Sequence, residues 1–226
     1  MGLEPGELTV IEGVDIDLST DRFLSTPPFT DWIESQMSRE RLTEIIESLR
    51  GQVASQIAPR AMYRVTQTED SGIQEYNPPD PLLESSHMCC LLVTVGETEY
   101  GDASFSMAEK MVRDAMENAT VGFLKQEIAL RIRDDAHETG WNTTRLFSPG
   151  SGNVDWDITN SAFIFEILPG SEIGMSLSDS GLILPPKSGS SVIGLGPDIE
   201  QAENLFSCEG CPRIQECDYA VPATNP

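Results

Sequence analysis

"SMAEKMVRDAMENATVGFLKQEIALRIRDDAH", Ser106 to His137, decides how the rest of the chain is read. Ser106 followed three residues later by Glu109 is a capping box, the start signal of a helix. Val112, Met116, Ala119, Phe123 and Ile128 then form most of an apolar stripe at helical spacing. A helix from about Met107 to His137 is roughly 45 Å long at about 1.5 Å per residue. Gly122 inside it predicts either a close crossing or a break.

On the N-terminal side, Val14–Leu18 alternates apolar and acidic residues and predicts a half-buried strand. "STPPFTDW" breaks the chain, and Thr30 or Asp31 can then cap a helix. Ile45, Ile46, Leu49, Val53 and Ile57 recur on its apolar face, and it ends before Pro59. Ala61–Val65 predicts a strand, and Glu69 to Ser86, with "NPPDP", an exposed loop. Met88–Gly96 is a continuous apolar run ending in a turn, the pattern of a central strand. Cys89 and Cys90 lie inside it. Adjacent strand residues face opposite sides of a sheet, so the two thiols read as small core residues rather than one site.

On the C-terminal side, "RLFSPGSGNVDW" reads as a glycine-rich loop. "DITNSAFIFEILPG" reads as a short helix stopped by Pro169 and Gly170. Ile173–Leu177 predicts a strand, and "LILPPKSGSSVIGLG" two more short strands around a loop. Helices and strands do not alternate regularly. The predicted class is α+β, a largely antiparallel twisted sheet flanked by helices, one of them long.

The chain has 226 residues, 39% of them hydrophobic, enough for one core of ordinary size. That predicts one domain over 1–197 and a cysteine-containing tail over 198–226. The net charge is −23, from 37 acidic and 14 basic residues. Such a field repels nucleic acid and anionic membrane, and both are excluded as partners. Three of the basic residues are lysines: Lys110, Lys125 and Lys187. No apolar run approaches the roughly 20 residues that cross a bilayer. The acidic opening "MGLEPGELTVIEG" is unlike a signal peptide, so a cytoplasmic location is expected. His87 and His137, the two histidines, read as structural.

Two stretches carry chemistry. Arg145 to Gly152, "RLFSPGSG", offers backbone groups at Ser148, Gly150, Ser151 and Gly152 with little side-chain bulk. Pro149 stiffens the turn, and Arg145 can fix a carboxylate through two parallel hydrogen bonds. Such a loop suits a ligand with an amino-acid end and an adenosine end. The second stretch is Ile173 to Gly196, "IGMSLSDSGLILPPKSGSSVIGLG". In the order helix, "R…SPG.G", short helix, "IGMSLSDSGLILPPKSGSSVIG", the chain closely resembles the activation domain of cobalamin-dependent methionine synthase, over about Val112 to Gly196. No corrinoid-binding or homocysteine-binding domain accompanies it, so the resemblance is to a free-standing version.

The resemblance implies a domain that binds S-adenosylmethionine and supports reductive methylation of cob(II)alamin held by a partner. It implies that Arg145 holds the ligand's carboxylate, and that backbone groups around Pro149 and Gly150 meet the ligand. Arg145 stands one residue from the family's arginine position, and Ser151 replaces the motif's tyrosine. An acidic residue on the long helix also contacts the ligand in that family, and Glu127 is the candidate here. A sulfonium cation is favoured by an acidic chain. Methyl donor and cobalt need only be held in line while an outside electron donor protein supplies the electron. The expected partner is a methionine synthase chain or another corrinoid-binding methyltransferase.

"FSCEGCPRIQECDYA", Phe206 to Ala220, gathers three of the five cysteines. Cys208 and Cys211 form a C-x2-C chelate, and Cys217 supplies a third thiolate for zinc or an iron–sulfur cluster. The fourth ligand is open between Asp218, Glu209, a thiol of another chain and a small molecule. Two other functions compete. One is a non-catalytic metal-binding or interaction protein that keeps the fold and has lost the S-adenosylmethionine site. The other, a small-molecule methyltransferase, lacks a glycine-rich nucleotide loop after a first strand.

Overall fold

The computed structural model describes residues 3–98, 105–151 and 154–206. The elements in chain order are β1 (Leu8–Glu12), α1 (Thr20–Leu24), α2 (Phe29–Ser35), α3 (Arg39–Gln56), β2 (Arg60–Gln67), α4 (Asp80–Leu83) and β3 (His87–Thr94). They continue with α5 (Met107–Glu138), β4 (Asn142–Phe147), α6 (Ser161–Ile167), β5 (Ser176–Leu177), β6 (Ile183–Leu184) and β7 (Ser188–Gly196). Five strands form one sheet in the order β1-β2-β3-β7-β4, with every neighbouring pair antiparallel. β5 and β6 pair as a separate hairpin. The class is α+β, as the irregular order of helices and strands predicts.

β3 is the middle strand, and its unbroken apolar sequence follows from having helices on both faces. Cys89, Leu91 and Val93 pack under α1, α2, α3 and α5. Met88, Cys90 and Leu92 pack against α4, α6 and the turn at Ile73. Burial in these apolar layers pushes both thiols well above their ordinary pKa. Both are therefore inert core residues, facing opposite ways as adjacent strand positions must.

α5 runs unbroken for 32 residues. The Ser106 hydroxyl accepts from the Glu109 N–H (3.3 Å) and the Glu109 carboxylate accepts from the Ser106 N–H (2.8 Å). Val112, Met116, Phe123 and Ile128 are buried against the sheet. Gly122 neither breaks the helix nor admits a close neighbour: it is exposed, and a Cβ there would meet nothing within 4 Å.

Several expectations need correction. Val14–Leu18 is not a strand; Asp17 instead accepts from the Ser19 N–H (2.8 Å), and Ser19 caps α1. The edge strand is Leu8–Glu12, which finds a pairing partner in Arg60–Arg64. The single helix expected to start at Thr30 or Asp31 is two, because Ser38 caps a fresh helix by accepting from the Arg41 N–H (3.3 Å). The stretch 69–86 is not all exposed loop. It contains α4, and Ile73 and Leu82 are fully buried. Pro81 is tolerated there because it lies in the first turn, where its missing N–H costs nothing. Only Ser176–Leu177 of the expected Ile173–Leu177 strand is extended; Gly170–Ile173 is a 3-10 turn.

The largest revision concerns Arg145–Phe147, which is the end of edge strand β4 rather than loop. β4 bulges between Thr143 and Leu146. There Thr144 Oγ1 accepts the Gly194 N–H (2.8 Å) and donates to the Arg145 carbonyl (2.8 Å). Residues 198–206 return along β4. The Ala202 N–H donates to the Thr143 carbonyl (2.9 Å), the Leu146 N–H donates to the Leu205 carbonyl (2.7 Å), and Leu205 is buried. This covers an edge that would otherwise stand open. No described helix is long and apolar enough to cross a membrane.

Candidate functional site

β4 delivers the chain into a tight turn at Ser148–Ser151. The Ser148 carbonyl accepts from both the N–H (3.1 Å) and the hydroxyl (2.7 Å) of Ser151. Gly150 has φ +73° and donates its N–H to the Trp156 carbonyl (2.7 Å). A Cβ at Gly150 would lie 2.7 Å from the Ile158 Cβ, so conformation and space both require glycine. Pro149 is buried beneath the turn. Trp156, also buried, donates Nε1–H to the Tyr76 carbonyl (2.8 Å) and anchors the far side. These contacts fix the geometry of the turn from within the chain.

Arg145 is half-buried, with its guanidinium 4.4 Å from the centre of the Phe147 ring. Residues two apart on a strand share a face, which is why the two stack. Arg145, Ser148, Pro149, Gly150 and Ser151 thus lie together at one end of β4. Glu127 is held elsewhere: it pairs with Arg22 of α1 (3.3 Å), whose guanidinium also lies 4.1 Å over the Phe123 ring. Gly152, Cys208, Cys211 and Cys217 lie outside the described residues. Among the described residues no group of histidine, cysteine and carboxylate side chains could hold a metal ion.

The residue of α5 that does reach the turn is Lys125. Its Nζ donates to Ser148 Oγ (3.3 Å), and Ser148 Oγ lies 2.7 Å from Ser191 Oγ on β7. Ser191 in turn donates to the Ser190 carbonyl (2.7 Å). Gly189 makes room for this lysine: a Cβ there would sit 3.2 Å from both Cε and Nζ. Burial pulls the amine down from its ordinary 10.5 to about 8. Only one signal in the sequence marks Lys125. It is a lysine set beside Leu124 on the buried side of the helix, in a chain with three lysines.

From Lys125 the contact between α5 and β7 runs back toward the start of both elements. There Lys187 pairs with Asp114 and donates to Asn118 Oδ1 (2.8 Å). Beyond it opens a cleft of about 780 Å³ lined by Gly96, Lys110, Glu117, Gly174, Pro185 and Lys187 among others. That volume lies in the range of small-molecule sites. Arg113 and Glu117 form a buried ion pair in its wall (3.0 Å), 4% and 7% exposed. Thr98 donates to the second Glu117 oxygen (2.9 Å), and Gln56 accepts from Arg113.

The two histidines have structural surroundings. His87 stacks on Trp141 with ring centres 4.4 Å apart, and burial lowers its basicity. His137, in the last turn of α5, bonds to Gln201 (2.9 Å).

No family model matches this chain, and no curated protein matches it. Among solved structures it is similar to the MetH reactivation domain, crystallised with AdoHcy. The TM-score is 0.60 at 14% sequence identity, over 88% of this chain and 81% of that one. At that identity the likeness establishes the fold.

Proposed function

We propose that this chain is an S-adenosylmethionine-binding activation module for a corrinoid-carrying methyltransferase, a methionine synthase chain or a relative of it. The observation that carries the reading is the pre-set Ser148–Ser151 turn at the end of β4, with Arg145 beside it, in a fold whose solved counterpart holds AdoHcy. In this reading Arg145 holds the ligand's carboxylate, and the backbone of Ser148, Pro149, Gly150, Ser151 and Gly152 lines the amino-acid end. The adenosine lies toward the α5–β7 contact and the cleft beyond it. S-adenosylmethionine supplies the methyl group. The protein's own part is to hold the sulfonium at the surface for a docked corrinoid protein and keep it oriented. The net charge of −23 favours the cation.

Residues 1–197 form the ligand-binding unit, and 198–226 the C-terminal segment, of which 198–206 pack along β4 and Cys208, Cys211 and Cys217 bind zinc or an iron–sulfur cluster. A cluster there would pass one electron from a donor protein toward the corrinoid. The location that fits this chemistry is the cytoplasm. Saturable S-adenosylmethionine binding in equilibrium dialysis, weakened at least tenfold by Arg145→Ala, is the expected result. Absence of binding at millimolar ligand would overturn it. Metal analysis and an absorption spectrum after anaerobic purification test the cysteines.

One observation favours a second reading, an interaction protein that has lost the ligand site. Ser151 stands where the resemblance calls for a tyrosine, and its hydroxyl is turned back onto the Ser148 carbonyl. The same dialysis separates the two readings.

A further inference from the structure

We infer that Lys125 is the α5 residue that shares with Arg145 the carboxylate of the ligand's amino-acid end at the Ser148–Ser151 turn. The inference rests on the reading of this site as an S-adenosylmethionine site. An ammonium has three N–H donors. Among the described residues one of them is used, on the neutral hydroxyl of Ser148, and no carboxylate pairs with Lys125. Taking a cation out of water against a single hydroxyl is unfavourable, and proteins keep such arrangements where a ligand completes them. The lowered pKa of the amine, caused by burial alone, is the same imbalance seen from the proton's side.

The surroundings are arranged for an anion. Ser148 Oγ can accept from Lys125 while giving its proton to Ser191, whose own proton goes to the Ser190 carbonyl. The hydroxyls therefore all run away from the lysine, and its remaining N–H groups stay available. Gly189 gives the side chain its room. Lys125 and Ser148 are both half-buried, so a ligand reaches the pair from the surface. A carboxylate takes two such donors and restores the missing charge.

The position also explains why the acidic candidate on this helix does not serve. Glu127 is two residues on, about 200° round the helix, and faces Arg22. The long helix of this chain thus offers the turn a cation, where the resemblance implies a carboxylate.

The test compares binding of S-adenosylmethionine with that of decarboxylated S-adenosylmethionine, using the full chain and its Lys125→Met variant. Isothermal titration gives the affinities, and circular dichroism with a thermal melt confirms that both chains fold. The parent is expected to bind the carboxylate-bearing compound at least tenfold more tightly. The variant is expected to lose a measurable share of that preference, at least threefold, the remainder being the share of Arg145, while binding the decarboxylated compound as the parent does. Equal loss on both compounds, or no loss, overturns the assignment of Lys125 and leaves the site standing. No saturable binding of either compound by the parent overturns the reading of the site, and this assignment with it.

Discussion

Arg113 and Lys125 are two inward-facing cations on one helix, and they are treated in opposite ways. Arg113 is 4% exposed and is met by the Glu117 carboxylate one turn on and by Gln56 from α3. Its charge is balanced within α5 itself, and its hydrogen bond to Gln56 ties α5 to α3 beside the 780 Å³ cleft. Lys125, twelve residues later, has one serine hydroxyl among the described residues. A buried charge that the chain balances is architecture. At the half-buried Lys125, in the reading proposed above, a ligand supplies the balance.

Removing the balance at Arg113 should produce the largest effect. Glu117→Gln leaves the guanidinium buried without its counter-charge, and such losses run to about 3–5 kcal/mol. Urea unfolding of parent and variant reads this directly. A change under about 1 kcal/mol would mean that the pair is not a structural tie, and that both cations belong to one class. The turn that Lys125 serves is expected to come next. Gly150→Ala forces a side chain into φ +73° and against Ile158, at a cost of about 2 kcal/mol. Unchanged stability would show that the turn relaxes easily and is not pre-set for a ligand.

How far these two cations could be told apart without a structure is instructive. Local signals did well where the information is local. Ser106 and Glu109 fixed the start of α5, and the unbroken run at Met88–Gly96 placed β3 at the centre of the sheet with Cys89 and Cys90 on opposite faces. Signals failed where a pairing partner decides. Val14–Leu18 alternates as well as any strand, yet Leu8–Glu12 is the segment that pairs with β2. β4 is short, bulged and at an edge, so "TTRLF" gives too few positions to read. The SPG stretch was legible as a turn because glycine and proline mark turns by their own chemistry. Lys125 was not, since its environment is supplied by Ser148 and Ser191, which are 23 and 66 positions further along the chain. Glu127 looked better on charge alone, and helix geometry turns it toward α1.

Lys125→Met is expected to stabilise the free protein. The amine's fall from 10.5 to about 8 bounds the gain at about 3 kcal/mol, and partial solvent contact brings the expectation to about 1–2 kcal/mol at neutral pH. The sign with pH follows from linkage. Below about pH 8 the lysine is charged in both folded and unfolded states, and its full penalty is present. Between about 8 and 10.5 the unfolded chain binds more protons than the folded one, so the parent gains stability as pH rises. The advantage of the variant should therefore shrink across that window in melts taken from pH 7 to 10.5. A variant less stable than the parent at pH 7 would place Lys125 with Arg113, as a charge the fold has already satisfied.

The smallest effect serves as the control for both. Gly122 lies between the two cations on the exposed side of α5, with helical backbone and open space where a Cβ would go. Gly122→Ala should add about 0.5–1 kcal/mol through helix propensity alone. It should leave S-adenosylmethionine affinity as it was, because a Cβ there meets nothing within 4 Å and so does not disturb Lys125 one turn on. If stiffening the helix here altered ligand binding as much as Lys125→Met does, the effect at Lys125 would report on the flexibility of α5 rather than on a charge. A stabilised Gly122→Ala with parent-like affinity would confine the Lys125 effect to its amine.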